Sequence, residues 1–158
     1  MDTETRPVRR NAWRPFLSTA TALLDRIARD MDAAGVLPLG WYDVLVELAQ
    51  AREGRLRMSE LAEAVVLSKS SLSRLVDHLE GAGLLSRQPV PGDRRGAFAV
   101  LTDAGRAAVE QAWPVYARSI EQHFARHLRD AETDVLIAAL GRISRALADA
   151  ESSVTRRR

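Results

Sequence analysis

A chain of 158 residues with 46% apolar and 28% charged residues has the size and composition of one globular domain with a full hydrophobic core. The net charge is only +2, so total charge argues weakly for an anionic partner, and the positions of the arginines must carry that argument. Cysteine is absent, the N-terminal MDTETRPVRR is polar, and no apolar run reaches the roughly 20 residues of a membrane span, so we exclude disulfides and cysteine–zinc sites and expect a cytoplasmic protein without a membrane partner.

The first part of the chain is predicted to be helical. Apolar side chains recur at three- and four-residue steps over 12–33, which indicates a long amphipathic helix. The glycines and proline of 34–40 end it, and a second helix is predicted over 41–51. A turn and a very short extended segment follow over 52–58.

Two short helices and a hairpin are predicted next. Ser59 and Ser68 are the expected N-caps of the two helices, and the second helix ends near Glu80, before the sequence Gly-Ala-Gly. Residues 84–90 and 97–101 are expected to be two strands around a long hairpin tip.

Two more amphipathic helices complete the chain, one from Thr102 to residue 128 and one that starts at Asp130. A helix pair followed by a hairpin predicts a mainly α (α+β) fold, a winged helix-turn-helix with long N- and C-terminal helices. Because the terminal helices carry wide apolar stripes, we expect a second copy to cover them in a symmetric dimer. The predicted regions are a flexible N-terminus, a helical dimerisation region in two parts, a winged helix-turn-helix DNA-binding region and a disordered basic tail, at 1–11, 12–35 with 102–150, 36–101 and 151–158.

The start of the second short helix carries residue types suited to DNA. In a helix-turn-helix the second helix lies in the major groove, and its N-terminal residues contact base edges. Small hydroxyl side chains allow a close approach, while lysine and arginine reach phosphates or a guanine edge, and the helix N-terminus favours a phosphate. The candidate contacts are Ser68, Lys69, Ser70, Ser71, Ser73 and Arg74. A capped serine-rich helix with a solvated polar face is the alternative.

The hairpin tip PVPGDRRG (89–96) is the second candidate contact. In a winged helix this tip lies over the neighbouring minor groove, whose negative potential attracts an inserted arginine. A nearby carboxylate can fix the orientation of a guanidinium through a forked, two-bond ion pair before DNA is bound. We therefore expect Asp93 to orient Arg95, while Arg94 points to the phosphate backbone. A polar turn with an incidental ion pair is the alternative.

Residues 58–105, MSELAEAVVLSKSSLSRLVDHLEGAGLLSRQPVPGDRRGAFAVLTDAG, closely resemble the DNA-binding region of the MarR family of bacterial transcription regulators. The match lies in the serine-rich helix ending RLVDHLEGAGLL, in the Asp-x-Arg tip and in LTDAG, and the resemblance extends over nearly the whole chain. It implies a homodimer with intertwined outer helices that binds a pseudo-palindromic operator, usually as a repressor. It also implies control by a small molecule, often an aromatic anion bound between the dimerisation and DNA-binding parts.

The urate-responsive branch of that family suggests candidate ligand residues. There the ligand and its coupling to DNA depend on a tryptophan early in the first helix and an aspartate in the second helix. They also depend on two arginines, one in the recognition helix (the second helix of the helix-turn-helix) and one at the start of the wing (the hairpin). This sequence is similar at Trp13, Asp43, Arg74 and Arg87, with Trp41 close to the aspartate. Both arginines also suit plain DNA-binding or fold roles, and tryptophans often belong to a core.

Other functions have less support in the sequence. His123 and His127 are spaced one helical turn apart with Glu121 nearby, yet no cysteine or acidic cluster completes a metal site. Phosphate loops and nucleophile elbows are absent, so we predict no enzyme activity, no cofactor and no metal. The remaining alternative is a winged-helix module for protein contacts without DNA binding, which would lack the steep salt dependence of phosphate contacts.

Overall fold

The structure is a computed structural model that describes residues 10–65 and 69–155, apart from the side chains of residues 69, 94, 95 and 151–155. The chain divides into two compact units, Met1–Ile120 and Glu121–Arg158. The helix pair and the hairpin lie wholly within the first unit, and the last helix lies in the second. Among the described residues, no helix combines the length and apolar character needed to cross a membrane.

The order of elements agrees with the predicted winged helix-turn-helix. The helices are α1 Trp13–Ala33, α2 Leu39–Gln50, α3 Met58–Ala64, α4 Lys69–Gly81, α5 Asp103–His123 and α6 Asp130–Thr155. The strands are β1 Arg55–Arg57, β2 Leu85–Val90 and β3 Asp93–Leu101, and short 3₁₀ turns cover Arg52–Gly54 and Ala125–His127.

The three strands form one antiparallel sheet in the order β1-β3-β2. Leu56 of β1 and Arg87 of β2 both pair with Ala99 of β3, so the hairpin strand β3 is central and the short strand β1 is at the edge. Ala99 is fully buried, and its small side chain lets the helices pack closely on this face of the sheet. The sheet is thus the platform on which the hairpin tip is carried.

The core of the first unit is built from amphipathic faces that the sequence shows. The predicted apolar stripe of α4 is confirmed, because Leu72, Val76 and Leu79 are buried and Leu75 packs against them partly buried. Full burial of one leucine side chain stabilises the fold by about 1.5–3 kcal/mol, so this stripe fixes which side of α4 faces outward. The outward side is the polar one.

Helix starts and ends differ from the prediction in places. Ser59 is not the N-cap of α3; that position belongs to Arg57, whose backbone N–H donates to the carboxylate of Glu60 at 2.7 Å. An acidic side chain at the third helical position satisfies the N-cap amide, and this favours the earlier start. Ser68, the other predicted N-cap, lies outside the described residues. The start of α5 is as predicted, with the Thr102 hydroxyl oxygen accepting from the backbone N–H of Gly105 at 3.0 Å.

The C-terminal part of the chain also differs from the prediction. Instead of running to residue 128, α5 ends at His123, because Phe124 takes non-helical backbone angles of φ −131° and ψ −65°. A 3₁₀ turn follows, and α6 then continues through Thr155. The helix therefore extends into the segment 151–158 that the sequence predicts to be a disordered tail.

Candidate nucleic-acid interface

The polar face of α4 is exposed, with Ser70, Ser71, Ser73 and Arg74 pointing away from the buried stripe. Lys69 begins the helix, but its side chain is outside the described set, as is the whole of Ser68. Small hydroxyl groups and a guanidinium therefore line the outer side of the helix over its first two turns. This is the surface that a major groove would meet.

The hairpin tip is a tight turn followed by a bulge. Gly92 has φ +79°, and a proline followed by a glycine with positive φ is typical of a type II turn. Val90 pairs with Asp93, but its neighbour Pro89 pairs with Ala97, so positions 94–96 of β3 have no opposite residues in β2. The backbone of Arg94 and Arg95 thus stands in a bulge at the end of the wing. A bulge re-aims side chains relative to the ladder.

Asp93 holds the turn together from inside. Its Oδ1 accepts a hydrogen bond from the backbone N–H of Gly96 at 3.0 Å, and its Oδ2 lies 3.5 Å from Nη1 of Arg57. A Cβ on Gly96 would overlap the Asp93 carboxylate and lie 3.1 Å from Cγ2 of Val90, so the glycine is required for this closure. The predicted pair between Asp93 and Arg95 stays a prediction, because the Arg95 side chain is not described.

Two arginines of the edge strand extend the basic surface, and the sequence analysis missed them. The guanidinium groups of Arg55 and Arg57 lie 5.0 Å and 5.8 Å from the ring centroid of Phe98, within cation–π range. Arg55 also pairs with Glu53 at 2.6 Å. The signal was present as the alternation Arg-Leu-Arg, because positions two apart on a strand share one face. Both side chains are exposed beside the wing.

Arg87 of β2 connects the wing to α4 through ion pairs and a backbone hydrogen bond. Its Nη2 lies 2.5 Å from Oδ1 of Asp77, its Nη1 donates to Oε2 of Glu80, and its backbone N–H donates to Oε1 of Glu80 at 2.8 Å. The backbone hydrogen bond first, and the guanidinium next, hold the pKa of the Glu80 carboxyl below its usual value. In this chain Arg87 is therefore engaged in linking β2 to the recognition helix.

A pocket of about 410 Å³ lies between α2, the end of α3 and α5. Its lining is Gly40, Tyr42, Asp43, Val46, Glu47, Gln50, Ala64, Val65, Trp113 and Tyr116. Burial, and then the neighbouring charge of Glu47, raise the pKa of the Asp43 carboxyl. Burial also raises the pKa of the Tyr42 and Tyr116 hydroxyls, and the charge of Asp43 adds to both shifts.

Of the predicted ligand residues, Asp43 lines this pocket. Trp13 is 60% exposed and lies with its ring centroid 6.1 Å from that of Phe16, while Trp41 packs partly buried against the core. Arg74 is on the outer face of α4. Within the described residues of one chain, the structure therefore does not bring the predicted ligand set together in the pocket.

The histidine pair is not on one continuous helix. His123 is the last residue of α5, and His127 ends the following 3₁₀ turn. The helical spacing that suggested a metal half-site is therefore broken at Phe124. In the part of the chain that the structure describes, no group of three or more histidine, aspartate or glutamate side chains is placed to hold a metal ion.

A helix pair beside a three-stranded sheet, with a polar helix face outward and an arginine-bearing hairpin tip, defines a winged helix-turn-helix protein. Residues 34–96 match the model of the MarR family. The transcriptional regulator PecS of Dickeya dadantii is 30% identical over 134 residues, which cover 83% of this chain and 79% of that protein. The chain belongs to the MarR family of transcriptional regulators.

Solved structures agree with this assignment. AbsC, a MarR family transcriptional regulator from Streptomyces coelicolor, is 32% identical, with a TM-score of 0.82 over 94% of this chain and 99% of AbsC. Sco3205 from the same organism, solved in complex with DNA, is 31% identical, with a TM-score of 0.78 over 94% of this chain and 91% of its own. The prediction of a DNA-binding transcriptional regulator is confirmed and is favoured over a winged-helix module for protein contacts alone.

Proposed function

We propose that the chain acts in the cytoplasm as a homodimer that represses transcription from a pseudo-palindromic operator and leaves it when a small molecule binds. In each protomer α4 enters a major groove and the wing lies over the adjacent minor groove. The observation that carries the proposal is the division of α4, whose serines and Arg74 are exposed opposite a fully buried stripe. A helix with this division presents its polar side to a partner without disturbing the core.

Exposed apolar side chains on the terminal helices support the homodimer. On α1, Trp13 is 60% and Leu24 is 55% exposed. On α6, Val135 is 69% and Ile137 is 65% exposed, and Ile143 and Leu147 are exposed as well. Apolar surface of this extent on two long helices marks an interaction site. The proposed dimerisation region is therefore 12–35 with 102–150, around a DNA-binding region at 36–101.

The proposed operator follows from two-fold symmetry. A dimer places its two recognition helices in successive major grooves on one side of the duplex, with half-site centres about 10 base pairs apart. Each half-site would receive the contacts of Ser68, Lys69, Ser70, Ser71, Ser73 and Arg74 from α4. The wing would add contacts from Arg94 and Arg95, with Asp93 orienting Arg95. The edge-strand arginines Arg55 and Arg57 extend this surface toward the phosphate backbone.

Release by a small molecule is the regulatory part of the proposal. The pocket between α2, α3 and α5 has the size of a small-molecule site. The MarR resemblance implies an aromatic anion as effector and Trp13, Trp41, Asp43, Arg74 and Arg87 as its contacts. The aromatic lining supports an aromatic effector. The charged side chains of the described lining are the carboxylates of Asp43 and Glu47, and these bear on whether the effector is an anion or a cation.

The test is direct measurement of DNA binding. DNA selected from a genomic pool by the purified protein, followed by fluorescence anisotropy at increasing salt, should show a steep linear fall of log affinity with log salt. Arg95→Ala should weaken operator binding by about 100-fold, since an arginine inserted in a narrow minor groove makes a contact that cannot be replaced. Arg126→Ala, which removes an exposed arginine of the 3₁₀ turn, is the matched control. A flat salt response, or equal affinities for the two variants, would contradict the proposal.

A further inference from the structure

Three aromatic rings form one wall of the pocket between α2, α3 and α5. The ring centroids of Tyr42 and Tyr116 are 4.6 Å apart with an interplanar angle of 36°, and Trp113 lies 6.2 Å from Tyr116. Trp113 is 55% exposed, so its ring is accessible from the open side of the pocket. Ring faces carry negative electrostatic potential and attract cations within about 6 Å.

Two carboxylates also line the pocket. Asp43 and Glu47 are four residues apart on α2, which places them one above the other on one helix face. Neither has an ion-pair partner among the described residues, and the described lining contains no lysine, arginine or histidine. The raised pKa of Asp43 reflects burial and the nearby charge of Glu47. A positive charge between the two would stabilise both carboxylates, and a negative charge would be repelled by them.

The hydroxyl of Tyr42 adds a polar group that points to a ligand. Tyr42 is only 2% exposed and lines the pocket. Within the described part of the chain its hydroxyl makes no hydrogen bond, yet the oxygen keeps some accessible surface and is not sealed in the core. Buried tyrosine hydroxyls normally find a partner. A ligand in the pocket would supply one.

We propose that this pocket binds an organic cation, a molecule with one positive charge on an apolar or aromatic body, and that this class of compound is the effector. Its charge would sit between the carboxylates of Asp43 and Glu47, and its body would lie against the rings of Tyr42, Tyr116 and Trp113. The effector role rests on the proposed function as a DNA-binding regulator, whereas binding of the cation does not.

The position of the pocket provides a route to the recognition helix. Ala64 ends α3 and Val65 follows it, and both line the pocket. Along the sequence, residues 66–68 lead directly from Val65 to Lys69, where α4 begins. A ligand that displaces Val65 therefore acts only four residues along the sequence from Lys69, where the helix proposed to contact DNA begins.

The test compares ligands of opposite charge by calorimetry. Benzyltrimethylammonium should bind the purified wild-type protein with millimolar or tighter affinity, and phenylacetate should bind at least about tenfold more weakly, as expected for removal of a cation–π contact and an ion pair. Asp43→Asn with Glu47→Gln should reduce affinity for the cation by about tenfold or more. Glu110→Gln with Asp134→Asn removes the same two charges at exposed positions outside the pocket and should leave the affinity unchanged.

Circular dichroism first establishes that the variants are folded, and Tyr42→Phe serves as a milder second variant. Tighter binding of phenylacetate, or cation binding that ignores the Asp43 and Glu47 substitutions, would overturn the proposal. So would the absence of calorimetric binding by the cation. Anisotropy with operator DNA is the separate arm: cation binding without release of DNA overturns the effector role alone, and failure to bind DNA without any ligand overturns the proposed function instead.

Discussion

Gly105, in the first turn of α5, is the position where a single methyl group should do most damage. A Cβ there would overlap the carbonyl oxygen of Leu84, lie 2.8 Å from Cδ1 of Leu101 and lie 3.0 Å from the carbonyl carbon of Leu84. The clash is with backbone, which cannot rotate away as a flexible side chain does. Gly105→Ala must therefore push the start of α5 off the wing strand.

The displacement would break a connected set of hydrogen bonds. The backbone N–H of Thr102 donates to the Leu84 carbonyl at 3.2 Å, and its hydroxyl donates to the Gly83 carbonyl at 2.7 Å. Overpacking costs about 1–3 kcal/mol. Each hydrogen bond that is lost adds about 1 kcal/mol. The sum is about 3–5 kcal/mol, which lowers Tm by roughly 10–15 °C for a chain of this length.

The assay is thermal unfolding by circular dichroism at one fixed protomer concentration, because self-association, as in the proposed homodimer, makes Tm depend on concentration. Gly81→Ala is the matched control, since Gly81 is exposed in α4 and a Cβ there meets nothing within 4 Å. It should raise Tm slightly, because alanine is the better helix former. If Gly105→Ala melts within about 2 °C of this control, less than the shift expected from 1 kcal/mol, the reasoning is refuted.

Two further predictions concern the wing. Arg87→Ala removes the partner of the Asp77 and Glu80 carboxylates and should weaken DNA binding by about fivefold. Arg87→Lys should restore only part of the affinity, because a lysine has no forked donor set. Anisotropy measures both variants, and full recovery of affinity with lysine would exclude the forked geometry as the cause. Asp93→Asn keeps an acceptor for the N–H of Gly96 but loses the charge, so it should preserve Tm while reducing operator affinity toward that of Asp93→Ala; wild-type affinity would limit Asp93 to closing the turn.

The sequence was sufficient to predict the winged helix because each buried face repeats with a clear period. The α4 stripe of Leu72, Val76 and Leu79 is an example. Helix starts were harder to predict. Ser59 is a good N-cap by residue type, but Glu60 accepts a hydrogen bond from the backbone N–H of Arg57, which makes Arg57, two residues before Ser59, the N-cap. The prediction considered only the type of the capping side chain and therefore missed the bond that Glu60 accepts from the backbone N–H of Arg57.

The role of Arg87 and the lining of the pocket could not be predicted from the sequence, because each depends on contacts between different helices and strands. Arg87 is held by Asp77 and Glu80, which are seven to ten residues away in another element, so its role in joining wing to helix was invisible in the strand alone. In the same way, the pocket brings Asp43 of α2 together with Tyr116 of α5. The predicted ligand set came from family resemblance at separate positions, and resemblance does not report what surrounds each position in this chain.

The proposed regulation through the pocket and the proposed dimerisation are linked by the size of the affinity change that control of an operator requires. Switching an operator from about 99% occupied to about 1% occupied needs a differential affinity of about 10⁴, or about 5.5 kcal/mol. A single site seldom supplies this, because coupling energies are typically about 1–3 kcal/mol. In a dimer that carries two pockets, each needs only about 100-fold, or about 2.7 kcal/mol, because the two contributions multiply. By reciprocity, bound operator would weaken binding of the proposed cation by the same factor at each pocket. If the proposed effector acts through Asp43 and Glu47, a coupling energy of the usual size would therefore control the operator only in a chain that binds DNA as the proposed dimer.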